Sequence, residues 1–141
     1  IKDRYDVDLW GSGYRPWGNA DIPTAAAQQE GKTPPLKDYY FSITIMNSKQ
    51  DNYFTETLVD VFRHGTIPIF WGCDNVGDYF NLDGILKFDS GTELYKILDN
   101  LTPDEYHKRY DAVKENFEIA KNYMSMADTF ADNLERVLDN D

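Results

Sequence analysis

The sequence predicts an α/β domain built on a Rossmann-like, mostly parallel sheet with flanking helices. Three observations carry that expectation. Strand-like and helix-like segments alternate along most of the 141 residues, the chain order of a parallel sheet with helical crossovers. The strand-like segments around Ile43 and Ile69 are short and apolar or β-branched, as strands buried on both faces are. The helical segments place apolar residues three and four apart, so that each offers one face to a sheet.

Taken in order, Tyr5-Asp6-Val7-Asp8-Leu9-Trp10-Gly11 alternates with period two and ends at glycine, which predicts a first strand over 5–11. Residues 12–37 keep no period, and Gly13, Gly18, Gly31 and Pro34-Pro35 lie among polar residues. They read as a long irregular loop with a short helix around 24–29, and a loop of that length in a compact domain usually carries function. The β-branched and aromatic residues of 40–46 predict a second strand. Phe54, Leu58, Val61 and Phe62 fall on one helical face, and Gly65 is placed to stop that helix. A third strand is expected at 67–71, a short helix at 74–80 and a fourth strand at 84–88. A helix over 93–100 turns Leu94, Ile97 and Leu98 inward. Thr102-Pro103-Asp104-Glu105 then opens another, with Thr as N-cap, Pro at the first helical position and Glu at the third. Its apolar stripe is Tyr106, Tyr110, Val113, Phe117, Ala120 and Met124. Ser125-Met126-Ala127-Asp128 resembles a further capping box, opening a terminal helix with Phe130, Leu134 and Val137. The whole is read as a single domain over 1–141, with C-terminal helices over 103–138 that offer a surface for self-association.

Composition narrows the function. A formal net charge of −11 argues against nucleic-acid or anionic-membrane binding, both of which need a basic surface. A small anion held by backbone amides remains open. Cys73 is the only cysteine, so neither an internal disulfide nor a zinc cluster is expected. Neither a basic-then-apolar leader nor an apolar run of about 18 residues is present. The chain starts at Ile1 rather than Met, and is read as a piece of something longer. No compartment follows from this, although a bacterial or viral origin would favour the cytoplasm.

In parallel sheets ligands bind outside the carboxyl ends of the strands, here Gly11, Asn47, Gly72 and Asp89. Residues 47–58, NSKQDNYFTETL, therefore fall where a site belongs. They admit two readings. Asp51 or Asn52 can simply cap the helix that follows. Alternatively the helix, starting near Asn52, aims its amides at a phosphate, with Lys49 adding charge, Tyr53 stacking on a ring and Glu56 accepting from sugar hydroxyls. Other candidates are weaker. Asp6-Val7-Asp8 can share a cation on one strand face but lies mid-strand. Gly11-Ser12-Gly13 lacks the third glycine of a phosphate loop. His64 sits at a helix end where a cation favours the dipole, and His107 reads as solvated. Glu56 and Asp60 lie four apart on one helix face, with Arg63 nearby. No Ser or Cys has a plausible base partner for nucleophilic catalysis.

Asn47-Ser48, then Tyr53-Phe54-Thr55-Glu56, Leu58 and Gly65-Thr66-Ile67-Pro68-Ile69 together resemble the donor-binding half of glycosyltransferase family 10. These are the α-1,3/4-fucosyltransferases and their viral and bacterial relatives. Their pattern runs approximately Glu-Asn-Ser…Asp-Tyr-x-Thr-Glu-Lys-Leu…Gly-Thr-x-Pro-Val. The similarity spans roughly residues 5–110, with Asp6-Val7-Asp8 and Gly11 in register. It implies a GT-B architecture of two Rossmann-like domains, the carboxyl-terminal one holding a nucleotide sugar, which is GDP-linked in this family. Asn47, Tyr53 and Glu56, with Ser48 and Thr55 beside them, would line the donor pocket, while Gly11 and Gly72 let backbone approach it. The resemblance also implies a single inverting displacement onto a glycan acceptor, with no cofactor and no metal. The general base would come from the missing N-terminal acceptor domain, leaving no catalytic residue in this chain. Two positions depart from the pattern: Met46 stands for the Glu before Asn-Ser, and Thr57 for the Lys after Glu56. Lys49 or Arg63 could replace the lost charge. The rival reading is a non-catalytic α/β module, degenerate at Met46 and Thr57 and kept for protein or glycan binding. A receiver-like domain fits less well, because no acidic cluster follows the first strand.

Overall fold

The computed structural model describes residues 1, 3–8, 36 and 38–123. Among them, β1 (Phe41–Ile45), β2 (Ile67–Trp71) and β3 (Leu86–Lys87) form a parallel sheet in the order β1-β2-β3. Phe41 pairs with Ile67 and Ile45 with Trp71 across the first ladder, and Ile69 with Leu86 across the second. Helix α1 (Glu56–Arg63) joins β1 to β2. Two short 3-10 turns, Asp74–Asp78 and Leu82–Gly84, lead into β3. Helices α2 (Gly91–Asp99), α3 (Pro103–Lys108) and α4 (Tyr110–Ala120) follow, ending in a 3-10 turn at Lys121–Tyr123. The expected parallel α/β architecture is thus the one observed.

Successive side chains of a strand point to opposite faces, and β2 has a core on each. On one face Phe70 packs with Leu58, Val59 and Phe62 of α1 and Ala120 of α4. On the other, Ile69 packs with Leu94 of α2 and Phe88, flanked by Phe41, Ile43 and Leu86. This two-sided burial is why β2 carries no polar alternation.

The sheet depends on α1 stopping cleanly. Gly65 has φ of 67°, its N–H donates to the Phe62 carbonyl at 3.0 Å and the Thr66 N–H to that of Val61 at 3.1 Å. That is a Schellman ending, in which glycine takes the left-handed position at little steric cost. Thr66 is then buried, its hydroxyl donating to the carbonyls of Leu36 and Tyr39 at 3.0 and 3.1 Å.

Several expectations fail. Residues 5–8 are not a strand. Their amides turn back locally, Tyr5 N–H to the Ile1 carbonyl and Val7 N–H to that of Tyr5. Arg4 and Tyr5 meanwhile grip Asp99 on α2, at 2.9 and 2.6 Å, and the Tyr5 ring stacks on Tyr95. The alternation there reflects docking onto a helix rather than a sheet. The fourth strand shrinks to Leu86–Lys87 because Leu82–Gly84 is taken by a 3-10 turn capped by the Asn81 side chain. The long helix after Thr102 breaks at Arg109 into α3 and α4, and Thr102 makes no side-chain cap bond. Glu105 turns instead to Lys108 and Arg109, at 3.1 and 3.7 Å.

The apolar stripe is also rotated. Tyr110 and Phe117 are 50% and 36% exposed, while Ala112, Val113, Asn116 and Ala120 are buried. Gly84 explains the rotation, since a Cβ there would lie 2.5 Å from Asn116 Nδ2 and 3.3 Å from the Ala112 backbone. Gly84 lets α4 approach closely at this point, and the residue facing it must hydrogen-bond. Asn116 Oδ1 accepts from the Asn81 N–H at 2.7 Å, and Nδ2 donates to the Asn81 carbonyl at 2.9 Å. Leu9, Trp10, the loop expected over 12–37 apart from Leu36, and the terminal helix with Phe130, Leu134 and Val137 lie outside the described residues.

Candidate functional site

The carboxyl ends of β1, β2 and β3 lead into the segments that carry the family-like motif. Leaving β1, Met46 turns into the core at 4% exposure. Asn47 is exposed and Ser48 half-buried. The chain then turns at Asn52, whose φ of 65° is tolerated because Asn is among the side chains most often found in the left-handed region. Long-range bonds hold it there. Asn52 N–H donates to Asn75 Oδ1 at 2.8 Å, Asn75 Nδ2 donates back to Asn52 Oδ1 at 2.7 Å, and the Tyr79 hydroxyl donates to the same oxygen at 2.6 Å.

Tyr53 and Phe54 are half-buried against the core on the α1 side of the sheet. The Phe54 ring meets Tyr79, Phe80 and Tyr123 edge-on at 5.1, 5.4 and 5.7 Å. Thr55, rather than Asp51 or Asn52, caps α1, its hydroxyl oxygen accepting from the Thr57 N–H at 3.3 Å. That hydroxyl donates in turn to Met46 Sδ at 3.7 Å, tying the start of the helix to the end of the strand. The helix therefore begins at Glu56, not near Asn52. Its Thr57 and Leu58 amides are already engaged, by the Thr55 hydroxyl and the Thr55 carbonyl.

The structure thus brings Asn47, Ser48, Tyr53, Thr55 and Glu56 onto one connection, with Gly72 at the end of the adjacent strand. A Cβ on Gly72 would stand 2.4 Å from Phe70 Cζ and 2.8 Å from Met46 Cγ, so the protein's own packing already demands glycine there. Gly11 lies outside the described residues. His64 is the C-cap of α1, with Nδ1 2.7 Å from the Asp60 carbonyl, in line with the capping role its position suggested. Asp8 accepts a hydrogen bond from the Tyr39 hydroxyl. Cys73 is fully buried, and burial pushes its thiol pKa up.

Sequence reasoning named Lys49 as a candidate charge but missed the charged groups around it at the same edge. Lys49 Nζ lies 2.8 Å from Asp89 Oδ1 and 3.0 Å from Asp74 Oδ1. Lys87 Nζ donates to the Asp74 carbonyl at 3.1 Å and stands 3.7 Å from its carboxylate. The hydrogen bond to Asp89 holds the Lys49 ammonium pKa above its ordinary value, and that to Lys49 holds the Asp74 carboxyl below its own. The signal available in the sequence was positional, because Lys49, Asp74 and Asp89 follow predicted strands and Lys87 lies next to the last residue of one. A separate cleft of about 360 Å³ lies near the amino end of β3, between Asn81, Asp83 and the α3–α4 junction at Arg109. It is on the wrong side of the sheet for the expected site.

A family model described as "Glycosyltransferase family 10 (fucosyltransferase) C-term" matches residues 1–137. Among curated proteins, the chain is 29% identical over 75 residues to the alpha-(1,3)-fucosyltransferase FucT of Helicobacter pylori, covering 49% of this chain and 16% of that enzyme. It is 31% identical over 80 residues to the alpha-(1,4)-fucosyltransferase of Arabidopsis thaliana, covering 51% of this chain and 20% of that enzyme. The matched region thus spans a fifth or less of those relatives. No solved structure matches the chain.

Proposed function

The chain belongs to glycosyltransferase family 10, and from that membership we propose that it is the donor-binding domain of a fucosyltransferase-like enzyme acting on a glycan acceptor. The donor is a nucleotide sugar, GDP-linked as in the family. Asn47, Ser48, Tyr53, Thr55 and Glu56 form its contact surface, with Gly11 and Gly72 at neighbouring strand ends. The carrying observation is that the motif occupies the connection from the carboxyl end of β1 to the start of α1, beside β2. Parallel sheets receive nucleotides at that edge.

Within this proposal the reaction is a single inverting displacement, with neither metal nor cofactor. A general base must lie within about 2.6–3.2 Å of the acceptor hydroxyl, directly or through one water. The base belongs to an acceptor domain outside this chain, so the chain alone binds donor and transfers nothing. Positioning of the acceptor, which can lower a barrier by roughly 7–11 kcal/mol, also depends on that domain.

Calorimetry on the intact protein tests the donor site. GDP and GDP-fucose are expected to bind, and Glu56→Ala to weaken GDP-fucose more than GDP. Absence of binding by either nucleotide would favour the second reading, a non-catalytic module. The two departures from the family pattern motivate that alternative: Met46 is a core residue and Thr57 is an exposed one.

A further inference from the structure

We propose that Lys49 and Lys87 are the diphosphate ligands of this domain, and that Asp74 and Asp89 hold them in place until the donor displaces the carboxylates. The proposal rests on the donor-site reading above and adds the residues that take the charge. It starts from what is missing. Thr57 stands where the family pattern has Lys, in the first turn of α1. Arg63 cannot serve instead. It lies six residues on, about 9 Å along the helix axis, at the opposite end of α1, and is 3.8 Å from Asp60.

The helix terminus is also a poor substitute. Thr57 N–H is held by the cap and Leu58 N–H by the Thr55 carbonyl, which leaves little of the first turn for an anion. A dianion approaching a chain of net charge −11 needs local cations. The two basic residues carried by the described strand ends are Lys49, after β1, and Lys87, at the end of β3. The Asp74 carboxylate, after β2, lies between them, 3.0 Å from one ammonium and 3.7 Å from the other. The two lysines are therefore focused on one point at the carboxyl edge of the sheet.

Exposure indicates which partner leaves. The lysine side chains are 31% and 29% exposed, the Asp74 and Asp89 side chains 63% and 55%. A carboxylate released to water regains its hydration readily, whereas each lysine is already ordered and exchanges one oxyanion for another. The lysines thus enter the complex with most of their rotamer freedom already lost. The same arrangement makes the carboxylates competitors of the donor, since both they and the phosphates claim the same ammonium groups.

The test is calorimetry of GDP and GMP on the intact protein, with circular dichroism on each variant. Lys49→Gln is expected to weaken GDP about tenfold, the scale of one charge-assisted contact, and to shrink the preference for GDP over GMP. Lys87→Gln should act in the same direction. Asp89→Asn should tighten GDP, and the gain should vanish when combined with Lys49→Gln. A purely structural brace would instead weaken both nucleotides equally in Lys49→Gln and would weaken GDP in Asp89→Asn. Either result, or an unchanged GDP affinity in Lys49→Gln, overturns the proposal while the donor-site reading stands. A wild-type protein that binds neither nucleotide overturns both.

Discussion

Replacing Asn116 should destabilise the domain more than its modest size suggests. Its side chain is fully buried and makes two bonds to the backbone of one residue, at 2.7 Å from the Asn81 N–H and 2.9 Å to the Asn81 carbonyl. Each such bond contributes about 0.5–1.5 kcal/mol net, and each buried group left unpaired costs about 1–3 kcal/mol. Asn81 is half-buried, so water recovers part of that penalty. Asn116→Ala should therefore lose about 2–4 kcal/mol. Asn116→Leu refills the volume but restores neither bond, and should not recover the loss. Gly84→Ala supplies a further check, because its Cβ would lie 2.5 Å from Asn116 Nδ2. Trimming Asn116 removes that clash, so the double variant should cost less than the sum of the single ones. The assay is urea unfolding, read as a shift in midpoint at constant slope. An Asn116→Ala loss below about 1 kcal/mol, or an Asn116→Leu protein as stable as wild type, would show that packing and not the paired amide holds α4 to the turn at Leu82–Gly84.

Two further outcomes follow from the structure. Gly72→Ala must place a methyl 2.4 Å from Phe70 Cζ and 2.8 Å from Met46 Cγ. It should cost about 1–3 kcal/mol through overpacking, with part of the loss recovered by Met46→Ala; a neutral Gly72→Ala in thermal melts would contradict the packing account. Asp74, Glu105 and Asp111 have carboxyl pKa values lowered in the folded protein, first of all by hydrogen bonds from Lys49, Lys108 and Lys114 respectively. A depressed folded pKa contributes stability above the unfolded value, lost as pH falls through the folded one. Stability should thus decline below about pH 4, and a variant with Asn, Gln and Asn at these positions should decline less steeply. Identical acid profiles for the two proteins would rule these pairs out as the cause.

What the sequence made legible was the part decided by neighbours in the chain. Gly65 after an amphipathic run predicts a helix stop, and the Schellman bonds at Gly65 and Thr66 confirm it. The strand at Ile67–Trp71 was legible because burial on both faces leaves a continuous apolar run, and that at Phe41–Ile45 because aromatic and β-branched residues fill all but one of its positions. The misses involve distant partners. Asp51, Asn52 and Thr55 are all competent caps. Asn52 was removed from that role by Asn75 and Tyr79, 23 and 27 residues away. Phe117 outranks Asn116 on any hydrophobic scale, yet a glycine more than thirty residues earlier decides which of them faces inward. The alternation of residues 5–8 resembled a strand only because Asp99, 94 residues beyond Tyr5, was not visible as its partner.

The two readings of residues 47–58 turn out to divide the segment between them. Capping belongs to Thr55 and bracing of the loop to Asn52, and each occupies its side chain in a bond the fold requires. Both act on the geometry of what remains. The Thr55 hydroxyl ties the start of α1 to Met46, whose burial anchors the end of β1. Asn52 ties the middle of the loop to the turn that follows β2. Asn47 and Glu56 are then exposed at the two ends of a connection braced at two points. A ligand surface held in this way loses little conformational entropy on binding. The residues that look like mere turn chemistry are therefore what would make the neighbouring ones an effective site. Loss of the Asn52–Asn75 pair should on this argument weaken donor binding without touching any donor contact.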